Sequence, residues 1–132
     1  MSNKISAKID NAVIKIKSIP GFENVKFIML HGSASRGEMK EDSDIDLCIY
    51  YKGDRDEASD FRYKVLSELF EDYYDIQIFE NLPLYVKKEV LKGEPVYLPD
   101  KKFLYDIAYD TIKEYDLFKK YLYDYIGKEA IV

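Results

Sequence analysis

Residues 31–47 decide how this sequence folds, and they read HGSASRGEMKEDSDIDL. An apolar run from Val25 to Leu30 precedes them and has the length and composition of a buried strand. A second predicted strand follows, from Asp44 to Tyr51. The stretch therefore predicts two strands joined by a Gly- and Ser-rich turn and a polar loop.

The flanking sequence alternates between helical and strand-like patterns. Further elements are predicted from periodicity: helices over Lys4–Ser18, Asp56–Tyr74, Leu84–Leu91 and Lys101–Ile126, and strands over Asp75–Phe79 and Pro95–Pro99. We expect residues 1–132 to form a single α/β (α+β) domain that ends in the long helix. Its core would be a small mixed sheet of about three to five strands packed by helices.

Composition narrows the classes of function. Of the 132 residues, 47% are hydrophobic, and the net charge is −5 with Lys and Arg dispersed among acids, which argues against general nucleic-acid binding. No apolar run approaches the ~20 residues that span a bilayer, and the first residues do not resemble a secretory signal. Cys48 is the sole cysteine, so no internal disulfide can form and a cytoplasmic location is expected. Its apolar neighbours predict a small buried side chain rather than a nucleophile.

Asp44 and Asp46 are the first candidates for chemistry. They lie two apart on a predicted strand, so both carboxylates project from one face, while Ile45 and Leu47 project into the core. Two neighbouring carboxylates repel each other, and a bound divalent cation removes that repulsion. Mg²⁺ prefers such oxygen ligands, so the pair predicts a metal site.

The turn before this pair is suited to phosphate. Gly32 allows the backbone to approach a ligand closely, and Ser33 can offer its N–H and hydroxyl to phosphate oxygens. Arg36 can supply a positive fork, and Gly37 lets the chain turn again.

Three competing motifs fail because the residues that they require are absent from this chain. A P-loop requires Lys and Ser or Thr after Gly37, where this chain has Glu38 and Met39. A calcium loop that began at Asp42 would require Gly and Glu at its sixth and twelfth positions, which are Leu47 and Gly53. A zinc site is not expected, because His31 has no partner ligand at suitable spacing. We expect the sole histidine to be a hydrogen-bonded residue at the end of a strand.

The sequence resembles a known superfamily at these residues. Gly32-Ser33, ten further positions and Asp44-Ile45-Asp46 match the Gly-Ser-x10-Asp-x-Asp signature of DNA polymerase β-like nucleotidyltransferases. The longer stretch is similar to the minimal nucleotidyltransferase (MNT) family, in which small members are antitoxins of HEPN-domain toxins. Many relatives have Arg at the position of Ala34, so this chain lacks one phosphate contact that they have.

The resemblance implies a mechanism and a set of residues. ATP would bind on Gly32 and Ser33 with Arg36, and Asp44 and Asp46 would ligate Mg²⁺, or Mn²⁺ in its place. The superfamily has a third acidic ligand on a later strand, for which Asp75 is the choice and Asp72 the alternative. AMP would pass to an acceptor hydroxyl, with pyrophosphate as the leaving group.

The acceptor is open to three interpretations at this stage. The first is a tyrosine of a HEPN toxin partner, as the MNT resemblance implies. The second is a small molecule or an RNA end, bound by a homo-oligomer, and the third is a non-catalytic module that neutralises a toxin by contact. Aromatic residues on a second face of the last helix, Tyr105, Tyr109 and Tyr123, favour a protein partner.

Overall fold

The structure is a computed structural model, and it describes residues 3–32 and 44–130. Its elements alternate much as the periodicity predicts. In chain order they are α1 (Asn3–Lys17), β1 (Val25–His31), β2 (Ile45–Tyr51), α2 (Arg55–Leu69), β3 (Tyr74–Ile78), α3 (Leu84–Leu91), β4 (Glu94–Tyr97) and α4 (Lys101–Ala130).

The strands form one mixed sheet in the order β3-β2-β1-β4. β1 pairs antiparallel with both β2 and β4, whereas β2 and β3 are parallel. Parallel neighbours need a crossover connection, and α2 provides it. The predicted mixed sheet packed by helices is confirmed, with four strands.

Helices cover the two faces of the sheet, and each face has its own core. Ile28, Leu47 and Ile76 project towards α1 and α2. Met29 and Cys48 project to the opposite side, towards α3 and the first turns of α4. Cys48 is fully buried, as its apolar neighbours predict.

α2 is shorter than its apolar stripe predicts. The helix ends at Leu69, because Phe70 adopts the left-handed conformation (φ 32°) as its C-cap. Tyr73 therefore lies outside the helix, and the predicted extension to Tyr74 was wrong. The chain turns at this point and enters β3 one residue earlier than predicted.

α4 is the longest element, and only its first part is packed. Leu104 and Thr111 are buried, whereas Phe118, Leu122 and Tyr125 on the same stripe are exposed. The predicted long helix is confirmed, but burial of its apolar face stops about halfway along it. None of the helices in the described part of the chain is long and apolar enough to cross a membrane.

Candidate active site

Three polar residues line up across neighbouring strands at one end of the sheet. His31 on β1 is in register with Asp46 on β2, and Asp46 is in register with Asp75 on β3. Residues directly opposite each other project to the same face of a sheet. Met29 and Cys48, two residues away, belong to the core under α3, so this candidate catalytic row lies on the α3/α4 face.

Gly32 follows the row directly and brings the backbone against Asp46. Its φ is +70°, a conformation that side chains other than glycine rarely adopt. A Cβ atom at this position would collide with Oδ2 of Asp46. Gly32 therefore lies against a carboxylate of the neighbouring strand, and the close approach to a phosphate ligand predicted for it stays a prediction.

The two carboxylates of the row disturb each other. Partial burial raises the pKa of the Asp46 carboxyl to about 6, with further contributions from the charge of Asp75, from a hydrogen bond with Asp75 and from the charge of Asp44. Each of these effects disfavours the ionised form of the Asp46 carboxyl. A divalent cation between the carboxylates would offset all of them, so the oxygen donors fit Mg²⁺.

Asp75 occupies the position expected of the third acidic residue. Its side chain is exposed, and Nε2 of Gln77 donates a hydrogen bond to its Oδ1 at 3.0 Å. Asp72, the alternative, is exposed in the turn before β3 and is not among the charges that act on Asp46. The geometry therefore favours Asp75 as the third carboxylate.

Asp44 lies one residue before β2 and is exposed. Within residues 3–32 and 44–130, no three His, Cys, Asp or Glu side chains are gathered closely enough to hold a metal ion. Asp46 and Asp75 lie side by side on neighbouring strands, and Asp44 would have to turn towards them for all three to hold one cation. Ser33 and Arg36 lie outside the described residues, so their predicted roles stay predictions.

His31 differs from its prediction in one respect. It is at the end of a strand as expected, but its buried Nε2 has no hydrogen-bond partner in the part of the chain that is described. Burial lowers the pKa of His31, against the opposing effect of the charge of Asp75. His31 and Gln77 lie beside the carboxylates of the candidate site, and neither was predicted from the sequence to belong to it. Strand alternation could have predicted the position of Gln77, since it lies two residues after Asp75 on the same face of the sheet.

Comparison with known proteins places this site in a family. The model of the polymerase β nucleotidyltransferase family matches residues 14–102, which include both strands of the signature and β3. The chain belongs to this family. The prediction of a polymerase β-like nucleotidyltransferase fold is thereby confirmed.

One curated relative matches in sequence. A protein of Methanocaldococcus jannaschii, described as a candidate protein adenylyltransferase, is 38% identical over 74 residues. The match covers 56% of each protein, so this chain spans about half the length of that relative.

Solved structures match over nearly the whole chain. The crystal structure of a toxin–antitoxin with AMP-PNP has a TM-score of 0.69 at 20% identity, covering 99% of this chain and 100% of that one. The tri-AMPylated Shewanella oneidensis HEPN toxin in complex with MNT antitoxin has a TM-score of 0.61 at 18% identity, covering 96% and 98%. At these identities the likeness shows a shared fold.

Proposed function

We propose that this nucleotidyltransferase transfers AMP from ATP to a tyrosine hydroxyl of a HEPN-domain partner protein, and that it depends on Mg²⁺ or Mn²⁺. The observation that carries the proposal is the pairing of Asp46 with Asp75 against the Gly32 turn. Carboxylates that repel each other beside a turn suited to phosphate are what a metal–triphosphate complex requires.

The roles proposed for the individual residues are those that the family resemblance implies. The turn that begins at Gly32 seats the triphosphate, with Ser33 and Arg36 as further contacts. Asp44 and Asp46 would hold the metal that accompanies the triphosphate, and Asp75 together with them would hold a second metal near the acceptor hydroxyl. The bound cations would neutralise phosphate charge and lower the pKa of the acceptor hydroxyl.

The reaction balances as a substitution at phosphorus. The acceptor oxygen forms a bond to the α-phosphorus, and the hydroxyl gives up its proton. The bond from the α-phosphorus to the bridging oxygen breaks, and pyrophosphate leaves with that oxygen. The protein contributes positioning and electrostatic stabilisation rather than a covalent intermediate.

A protein acceptor is supported by the relatives rather than by the site. The curated relative is described as a candidate protein adenylyltransferase, and one matching structure contains a tri-AMPylated HEPN toxin. Transfer to such a toxin in the cytoplasm would make this chain an antitoxin. These two relatives give no comparable support for a small-molecule or RNA acceptor.

The test measures the intact mass of the protein encoded beside this one after incubation with Mg²⁺ and ATP. Wild type is compared with Asp44→Asn/Asp46→Asn, and an incubation without divalent cation is run in parallel. Addition of one or more AMP units by wild type alone, at tyrosine, is the expected result. Peptide mapping then identifies the modified side chain.

Other outcomes separate the parts of the proposal. ATP binding without any mass change would remove the protein acceptor and leave nucleotidyl transfer to a different hydroxyl. Equal labelling by wild type and the double variant would show that the carboxylates are not the metal ligands. Absence of ATP binding would contradict the proposal that this chain is an enzyme.

A further inference from the structure

The apolar stripe of α4 continues well past the point where the domain stops covering it. Leu104 and Thr111 are 9% and 6% exposed, but Phe118, Leu122 and Tyr125 are 55%, 43% and 87% exposed. These residues belong to one series with steps of four and three: 104, 108, 111, 115, 118, 122 and 125. Such spacing is the heptad seam by which one helix packs along another. The exposed half of the stripe therefore has the pattern of a surface covered by a helix.

Ring contacts fix the direction in which α4 runs. The Phe103 ring lies 5.0 Å from Tyr50 and 6.2 Å from Phe27, at the end of the sheet away from the catalytic row. Further along, Nζ of Lys88 lies 4.2 Å from the centre of the Tyr115 ring. α4 thus runs beside α3, in the same direction.

α3 itself leads to the catalytic end of the sheet. It ends at Leu91, and Gly93 then packs so tightly on the Leu30 carbonyl that no Cβ would fit. Leu30 directly precedes His31 of the catalytic row. Continued past Tyr115, α4 therefore extends towards the end of the sheet that carries Asp46 and Asp75, on the same face.

The second half of α4 stands clear of the rest of the described chain. Every side chain from 116 to 125 is exposed, a length of about 15 Å at 1.5 Å per residue. On a helical wheel Glu114 and Lys119 flank the stripe, roughly 60–80° to either side. A helix with its own apolar stripe and the opposite charge at each flank would complement this surface.

From these observations we infer that residues 116–125 form a docking arm for the acceptor protein, which binds it through an amphipathic helix. The inference rests on the proposed function, since it assigns the surface that brings the acceptor to the catalytic row. A face of about ten residues is too small for a stable pair of identical chains, which typically buries upwards of ~1,200 Å². It is sufficient as one part of an interface whose other part is the catalytic row.

The decisive experiment changes the arm and leaves the catalytic row intact. Phe118→Glu/Leu122→Glu places two charges on positions that are already exposed, so folding is preserved and is checked by thermal unfolding. Tyr63→Glu on α2, a residue 73% exposed on the other face, is the matched control. The partner is the protein encoded beside this one, and its binding is measured without ATP by biolayer interferometry.

We expect the double variant to lose about tenfold or more in affinity for the partner. The KM for the acceptor protein should rise by a similar factor, while ATP affinity stays at the wild-type value. Tyr63→Glu should behave as wild type in all three measurements. Hydrogen exchange on the wild-type complex should show protection of residues 116–125 and of one helical segment of the partner.

Three results would overturn the inference. Wild-type binding and transfer by the double variant would show that the acceptor docks elsewhere, with the proposed function intact. Sedimentation of wild type as a dimer and of the double variant as a monomer would assign the stripe to a second copy. If wild type neither binds nor modifies the partner, the proposed function fails first and the inference fails with it.

Discussion

Gly32 is the residue of the candidate site at which we expect substitution to be tolerated least. Its positive φ and its contact with Oδ2 of Asp46 leave no room for a side chain. Gly32→Ala must strain the backbone or displace the carboxylate, at a cost of roughly 1–3 kcal/mol. We expect AMP transfer to fall by about a hundredfold or more, because misplacing a reacting group by ~1 Å has that effect.

Single-turnover transfer assays on Gly32→Ala measure this loss. Gly53→Ala, at the opposite end of β2, serves as the control for crowding alone, since φ of Gly53 is not positive but an added Cβ would lie 3.0 Å from Cε1 of Tyr51. Wild-type turnover by Gly32→Ala would mean that Asp46 does not need to lie against the turn.

The identity of the third carboxylate is also decided by single residues. Asp75 is in register with Asp46, whereas Asp72 is in the preceding turn. Asp75→Asn should reduce the transfer rate by about a hundredfold or more, and Asp72→Asn should leave it within about twofold. Rates at saturating ATP and Mg²⁺ test both variants together. The reverse ranking would assign the role to Asp72.

At the scale of elements, the end of α2 illustrates a local feature that periodicity cannot predict. Phe70 is 74% exposed and holds a left-handed conformation that normally favours glycine. Nζ of Lys15 lies 5.4 Å from the centre of its ring, a contact that partly offsets the strain. The apolar stripe gave no sign of this cap, so the predicted helix ran on to Tyr74.

Phe70→Gly is expected to stabilise the protein by about 0.5–1 kcal/mol, because glycine adopts this conformation without strain. Phe70→Ala removes the ring and keeps the strain, so it should be neutral or destabilising. Urea unfolding of both variants measures the difference. Equal stability of the two would show that φ at this position carries no cost.

At the scale of the whole molecule, Glu80 links three elements and makes stability depend on pH. It follows β3, accepts a 3.4 Å hydrogen bond from the backbone N–H of Tyr51 on β2, and is attracted by Lys87 of α3. Burial nevertheless raises the pKa of Glu80 above its ordinary value of 4.5. A raised carboxyl pKa gives stability that is complete below the ordinary pKa and is lost as pH rises through the folded pKa.

Glu80→Gln should therefore be more stable than wild type near neutral pH, by no more than about 1 kcal/mol after solvent screening. The amide oxygen can still accept the bond from Tyr51. Below the ordinary pKa of 4.5 the difference should vanish. Urea unfolding at both pH values tests this, with the exposed Glu68→Gln as the control for net charge. A constant difference at both pH values would exclude ionisation as its cause.

The sequence by itself determined most of the helices and strands and, within the candidate site, the residues Gly32, Asp44 and Asp46. Strand and helix periods are local, so β1, β2 and α3 could be located from neighbouring residues alone, as could the spacing from Gly32 to Asp44 and Asp46.

Only the tertiary structure decided which strands are neighbours and which side chains they bring together. The parallel pairing of β2 with β3 brought Asp75 next to Asp46, and the antiparallel pairing with β1 added His31 to the row. Burial is likewise set by the neighbouring elements: one apolar stripe on α4 is core at Leu104 and exposed surface at Phe118, because α3 ends before the helix does.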